Sequence, residues 1–225
     1  MQFMRLFSFF VKPVSFPVIS FGITVCNEYE ELEKLLAQLL QFKQPKDQIV
    51  VLQDITEPNG EVTKVIEKYA DRLVHIQAKL DGDFSSFKNN LITHANGDYL
   101  FQIDADELLA DSLIHQIHDY LYENHQYDCF SIPRINIVRG ITSSHLAQWS
   151  WSQNKEGYIN FPDYQMRLFK INGKKKIRWT NKVHEVLVGF RRKKKLPIKD
   201  YSFCLIHDKA IKKQEKQNKF YEDNF

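Results

Sequence analysis

The strongest constraint on this chain is an alternation that runs from residue 18 to residue 104. Four short apolar runs, VISFGITVC (18–26), DQIVVLQDI (47–55), VHIQAK (74–79) and DYLFQID (98–104), are separated by stretches with helical spacing. The first is β-branched and apolar without polar alternation, the pattern of a strand covered on both faces, and the second reads the same way. Between them, EYEELEKLLAQLLQF (28–42) sets Leu32, Leu35, Leu36, Leu39 and Leu40 on one stripe. EVTKVIEKYADRL (61–73) is a second helix. DFSSFKNNLITHAN (83–96) is a third, with Asp83 as its N-cap and Gly97 past its end. Strand and helix in strict turn predict an α/β fold, a mostly parallel, doubly wound sheet with helices on both faces.

The second half reads differently. SLIHQIHDYLYEN (112–124) is a helix, and YDCFSIPRINIV (127–138) is strand-like but crossed by Pro133, which predicts an edge or bent strand. DYQMRLFKI (163–171), IRWTNKVHEVLVGF (177–190) and DYSFCLIHD (200–208) read as strands of a smaller mixed sheet, and KAIKKQEKQNKFYEDNF as a charged C-terminal helix. No flexible linker separates the halves. The 225 residues therefore read as one domain, 1–225, with a change of architecture between 18–110 and 111–225.

Composition excludes little. Hydrophobic residues at 43% and charged residues at 26% support an ordinary core, and a net charge of +3 does not by itself imply nucleic acid. Cys26, Cys129 and Cys204 form no C-x-x-C pair and read as reduced thiols of a cytoplasmic protein. The N-terminal 25 residues are apolar but broken by Arg5, Lys12, Pro13 and Pro17, too interrupted for a membrane span. Phe7, Phe9 and Phe10 leave room for a peripheral membrane contact.

Ligands of open α/β sheets bind outside the carboxyl ends of the strands. Those ends here are Cys26-Asn27-Glu28, Gln53-Asp54, the segment with Asp81 and Asp83, and Asp104-Ala105-Asp106. Carboxylates gathered so closely repel one another unless a cation lies between them. Oxygen-rich clusters of this kind suit a hard divalent cation such as Mn²⁺ or Mg²⁺, which binds one or two carboxylates and completes its shell with substrate phosphates.

The same residues carry a family resemblance. GDYLFQIDADE resembles the "GDwilflDaDE" segment of family 2 glycosyltransferases, whose fold is the nucleotide-diphospho-sugar (GT-A) fold. ITVCNEYEEL is similar to that family's first strand and loop, Asp54 to its acidic residue after the second strand, and FKNNLITHANGDY to its third helix. WTNKVHEVLVGF and LIHDKAIKKQEKQNKFY resemble the closing segments of short bacterial lipopolysaccharide-type members. Against the family pattern, Asn27-Glu28 follows Val25-Cys26 in place of a Pro-x-Tyr, and Lys88 stands where an arginine is usual.

The resemblance implies an inverting, metal-dependent glycosyltransferase that takes a sugar from a UDP-sugar to a hydroxyl of a glycan or other acceptor, with no nucleic-acid partner. Residues 18–110 would be the nucleotide-binding half and 111–225 the acceptor side. Asp106 would bind the metal, Asp104 the ribose or a metal-bound water, and His207 would complete the metal site. Asp54 would meet the base; Asn27, Glu28, Asp83, Lys88 and His184 would contribute to nucleotide binding. Glu185 would be the general base, with Asp163 as the alternative, and Val183 and Val186 would pack beside it. A nucleotidyltransferase would need a glycine-rich loop after the first strand, where Asn27-Glu28 stand instead. A non-catalytic polyanion-binding module would use the basic runs Lys174–Lys176 and Arg191–Lys195, which otherwise read as solvated turns. Trp149, Trp151 and Trp179 could stack on sugar rings.

Overall fold

The computed structural model describes residues 15–173 and 176–224, so the Phe7–Phe10 segment lies outside the described residues. The chain runs β1 (Ile19–Val25), α1 (Tyr29–Phe42), β2 (Gln48–Asp54), α2 (Gly60–Lys68), β3 (Val74–Ala78), α3 (Phe84–His94), β4 (Tyr99–Asp104), β5 (Glu107–Leu109) and α4 (Asp111–Glu123). It continues through β6 (Cys129–Arg139), α5 (Ser143–Gln148), β7 (Ile159–Lys170), β8 (Arg178–Thr180), β9 (Val186–Val188), β10 (Lys193–Lys195), β11 (Leu205–Ala210) and α6 (Ile211–Asn224). The main sheet has the order β3-β2-β1-β4-β7-β6-β11-β5, with β10 beside β6. β3, β2, β1 and β4 are mutually parallel, and β7 then enters antiparallel to both β4 and β6.

Period-two geometry divides each apolar run between two cores. Ile49, Val51, Phe101 and Ile103 face one side, where Leu32, Leu35, Leu36 and Leu39 of α1, Val62 and Ile66 of α2 and Leu113 and Ile117 of α4 cover them. Val50, Leu52, Leu100 and Phe169 face the other, under Phe87 and Leu91 of α3 and Trp179 and Leu187 of the β8–β9 pair. A fully buried side chain of this kind contributes about 1.5–3 kcal/mol, which is why α1 needs no side-chain cap to be held.

The second half differs from the sequence reading in three places. Its long strands join the main sheet, so the separate small sheet is only β8–β9. Residues 177–190 are two short strands around a turn. Within that turn Asn181 and His184 adopt positive φ, which a continuous strand excludes. Pro133 lies in an interior strand: β10 pairs with Cys129–Ser131 and β11 begins at Arg134, so the proline falls at the junction of two neighbours, where a missing N–H costs least.

Gly97 is also not the left-handed helix terminus that its position suggests. α3 ends through Ala95 in extended conformation. A Cβ at Gly97 would lie 2.8 Å from both Ser20 N and Val18 O. The glycine lets the chain entering β4 cross the start of β1, where its N–H donates to Ser20 Oγ at 3.0 Å. Gly97→Ala should therefore destabilise the protein by about 1–3 kcal/mol, read as a lower Tm in thermal unfolding. Gly60→Ala, in open space at the start of α2, should leave Tm unchanged or raise it.

Candidate functional site

The carboxyl ends of β1, β2 and β4 open into a cleft of about 690 Å³, closed on its far side by β6, β7, β11, α6 and the 181–185 turn. Of the residues given a catalytic, nucleotide-binding or metal role in the sequence, all line it except Asn27 and Asp83, and of the three tryptophans only Trp151 does. Asp83 is engaged as the N-cap of α3, accepting from the Ser86 N–H at 2.9 Å and from the hydroxyls of Ser85 and Ser86 at 2.8 Å. Asn27 is exposed on the loop before α1, while Glu28 folds back so that Oε2 accepts the N–H groups of Cys26 and Asn27.

Asp54 does two jobs. Its Oδ1 accepts from Thr56 N (2.8 Å), Thr56 Oγ1 (2.6 Å) and Leu80 N (3.2 Å), tying the loop after β2 to the loop after β3. Among the described residues Oδ2 has no hydrogen-bond partner, so a carboxylate oxygen remains for a ligand in the cleft. Burial, with Asp54, Glu28 and Glu57 nearby, pushes the Cys26 thiol up to about 11. It is a protonated thiol at neutral pH and no nucleophile.

The carboxylates of the DAD segment are separated by different cations. Asp104 accepts from Thr24 Oγ1 at 2.9 Å and is clamped by both Nη atoms of Arg167. Burial alone would raise its pKa; Arg167, with Lys88 and Arg134, outweighs burial and holds it well below the usual carboxylate range. Arg167 also reaches Glu107 Oε1 at 3.4 Å, and Arg134 reaches the same oxygen at 2.9 Å. Glu107 is fully buried; its charge is tolerable because two guanidinium groups share it.

Asp106 lies at the turn between β4 and β5. Its Oδ2 is 3.3 Å from His207 Nε2 and 3.1 Å from Lys213 Nζ, and Lys213 also reaches Glu31 at 3.5 Å. Burial opposes ionisation, but His207 and Lys213 hold Asp106 down at about 2. His207 is oriented from behind. Asp163 Oδ2 accepts from Asn136 Nδ2 at 3.0 Å, which turns Asn136 Oδ1 toward His207 Nδ1 at 3.2 Å. That contact orients the imidazole so that Nε2 faces Asp106 in the cleft. That Nε2 is buried and lacks an aligned hydrogen-bond partner. Among the described residues no three His, Cys, Asp or Glu side chains are placed to hold a metal ion. The Asp106–His207 pair nonetheless fits one that takes its remaining ligands from phosphate and water.

Asp163 receives four donors: Arg134 Nε (2.9 Å) and Nη2 (2.7 Å), Asn136 Nδ2 and Gln165 Nε2 (2.6 Å). Glu185 is less committed. It forms an ion pair with Lys88, whose ammonium lies 5.1 Å from the centroid of the Trp179 ring. The turn that carries His184 and Glu185 is docked on α3 by Asn89, which exchanges two hydrogen bonds with the Trp179 backbone, and by Phe84 N–H donating to Lys182 O. Trp179 is a core residue whose indole donates to Gln102 Oε1 at 2.9 Å. Val183 lines the cleft and Val186 is 41% exposed, so neither packs as expected. Of the basic run Arg191–Lys195, the last three residues form β10, and Lys194 and Lys195 lie over Tyr127 and Tyr164.

Sequence reasoning missed Arg134, Arg167, Glu107 and Lys213. The first two carried a signal: a charged residue inside an apolar strand, as in MRLF, needs a buried counter-charge.

Comparison with known proteins bears on this geometry. The family model described as "Glycosyl transferase family 2" matches residues 20–214. TarP of Staphylococcus aureus (strain N315), a poly(ribitol-phosphate) beta-N-acetylglucosaminyltransferase, is 27% identical over 101 residues, 44% of this chain and 31% of TarP. A crystal structure of S. aureus TarS residues 1–349 superposes with a TM-score of 0.57 at 15% identity, covering 85% of this chain and 60% of that one, a likeness of fold. The chain thus spans about a third of the TarP sequence it matches. No described helix is long and apolar enough to cross a membrane.

The Asp163 cluster has a measurable consequence. Burial would raise the Asp163 pKa, but Arg134 and the amides of Asn136 and Gln165 lower it below the usual 3.8. As pH falls the unfolded chain takes up the proton first. The stabilisation is therefore complete above pH 4 and is lost on further acidification. Asp163→Asn should lower the urea midpoint at pH 7, and its deficit against the wild type should shrink as pH is taken from 4 toward 2.

Proposed function

Because the chain belongs to glycosyl transferase family 2, we propose that it is an inverting transferase that moves a sugar from a UDP-sugar to an acceptor hydroxyl with the help of Mn²⁺ or Mg²⁺. The observation that carries this is the convergence of Asp106 Oδ2 and the buried His207 Nε2, 3.3 Å apart and without an aligned hydrogen bond between them, in the same cleft as Glu185. A divalent ion held by Asp106 and His207 would neutralise the nucleoside diphosphate as it leaves. The name of TarP makes UDP-N-acetylglucosamine the first donor to try.

The chain's own groups supply the rest. Asp54 Oδ2 accepts the N–H of a uracil edge at the β2 end of the cleft. Asp104 is not free to roam, because Arg167 holds both its oxygens; it serves as a fixed wall facing the ribose. Lys88 holds the Glu185 carboxylate at the cleft and can share its charge with a diphosphate. In the displacement, the acceptor oxygen bonds to the anomeric carbon, the bond to the diphosphate oxygen breaks with its electron pair leaving on the nucleotide, and the acceptor proton passes to Glu185. One displacement inverts the anomeric centre. Asp163 is the weaker candidate for the base, since four donors occupy it; in this reading it positions His207 through Asn136.

Two measurements test this. Glu185→Gln should cut kcat with UDP-N-acetylglucosamine by about 10²–10⁴ and leave UDP affinity at the wild-type value, whereas Asp163→Asn should do much less to kcat. Both variants retaining full rate would remove the base assignment. Calorimetric titration of UDP should show binding with Mn²⁺ that fails in excess chelator and weakens in His207→Ala, whose melting transition should persist. Equal affinity with and without chelator would dismiss the metal.

A further inference from the structure

The far wall of the cleft carries a group of side chains that the donor does not use. Trp151 lines it, half-buried, beside Asn160. The chain on either side of Trp151 is held in place. Ser152 donates from N–H and Oγ to Asn160 Oδ1 at 2.8 and 3.2 Å, and Asn160 N–H returns a bond to Ser152 O at 2.9 Å. Asn160 adopts φ +50° to do so, a conformation Asn tolerates better than most residues. Behind Trp151, the Trp149 ring lies 4.9 Å away at 57°, and His145 stacks on Trp149 at 5.1 Å and 19°. His145 is fixed by its capping box with Thr142 and lies 3.5 Å from Glu215 of α6. A large aromatic braced by a second indole and lining a cleft is suited to be a platform.

The neighbouring wall is α6, whose Gln214, Gln217 and Asn218 line the cleft. Gln217 Oε1 accepts from Lys209 Nζ at 2.8 Å, and Asn218 Oδ1 accepts from Gln214 Nε2 at 2.6 Å. These bonds leave the amide N–H groups of Gln217 and Asn218 as donors. Two of the cations on this side are already paired with carboxylates, Arg134 with Glu107 and Asp163 and Lys213 with Asp106 and Glu31, and Lys209 is buried and held by the neutral amide oxygen of Gln217. This wall is removed from the base end of the cleft: Asp54 ends β2, from which β1 and β4 separate β7 in the sheet order, while Asn160 lies near the start of β7 and α6 follows β11.

We infer that Trp151, with Asn218 and Gln217 of α6, forms the acceptor subsite, and that the acceptor unit bound there is a neutral sugar ring. A pyranose presents an apolar C–H face that fits an indole and a rim of hydroxyls that fits amide groups. A phosphodiester acceptor would face Arg134 and Lys213, which carboxylates already neutralise, and a buried lysine whose ammonium is turned to Gln217. The assignment rests on the glycosyl-transfer reading above and adds to it the class of acceptor.

Saturation-transfer NMR on the full chain tests it, with methyl β-D-glucopyranoside and methyl β-D-galactopyranoside as neutral probes and sn-glycerol 3-phosphate as the anionic one. UDP affinity with Mn²⁺ is measured on the same samples. Wild-type protein should transfer saturation to the ring protons of at least one glycoside. Trp151→Ala should weaken that binding roughly tenfold, a loss of about 1.4 kcal/mol, Trp151→Phe should recover part of it, and UDP affinity should not move. Asn218→Ala, a change on the helix surface, should also weaken the glycoside and serves if Trp151→Ala does not fold. No glycoside binding, binding indifferent to both variants, or preference for glycerol phosphate would each overturn the subsite. Glycoside binding through Trp151 in a protein that never binds UDP would keep the subsite and remove the donor reading.

Discussion

The arrangement of the cleft depends on one buried ion cluster. Arg167 rises from β7 beneath the end of β4 and is shared between Asp104 and Glu107, and Arg134 from β6 is shared between Glu107 and Asp163. Removing one member of such a cluster strands a charge away from water, at a cost of about 3–5 kcal/mol. The cluster therefore locks β4, β5, β6 and β7 in one register where a sheet switches from parallel to antiparallel pairing. It also decides which carboxylate is available. Asp104 is saturated by Arg167, while Asp106, two residues on, turns toward His207 and Lys213.

From that cluster a second line of contacts reaches the metal candidate. Arg134 fixes Asp163, Asp163 fixes the amide of Asn136, and Asn136 orients the ring of His207. Each link is a charged or planar group with few alternative orientations, so a site built this way is preorganised before any ligand arrives. Lys213 occupies one side of Asp106, neutralising a carboxylate that would otherwise repel Asp104. The opposite wall is built more lightly: Glu185 sits on a hairpin turn held by Asn89 and by its pair with Lys88.

The parallel half of the fold, and the edge at which the candidate site lies, were legible in the residues alone. Runs such as IVVLQ and YLFQI are apolar at both parities, so they can only be covered on both faces, and the helical stripes between them supply the cover. A ligand edge at the strand ends follows from that topology, and Asp54, Asp104 and Asp106 were legible there as polar endings of buried runs. His207 was legible for the same reason, at the end of YSFCLIH. The partners of these groups emerge only on folding. Arg167 and Asp104 are 63 residues apart, Asp106 meets a helix that begins at Ile211, and the turn that brings Glu185 to the cleft interrupts what reads locally as one strand. Local pattern reports whether a side chain is covered; it carries no information about which distant charge covers it, because that pairing is set by the order in which strands enter the sheet.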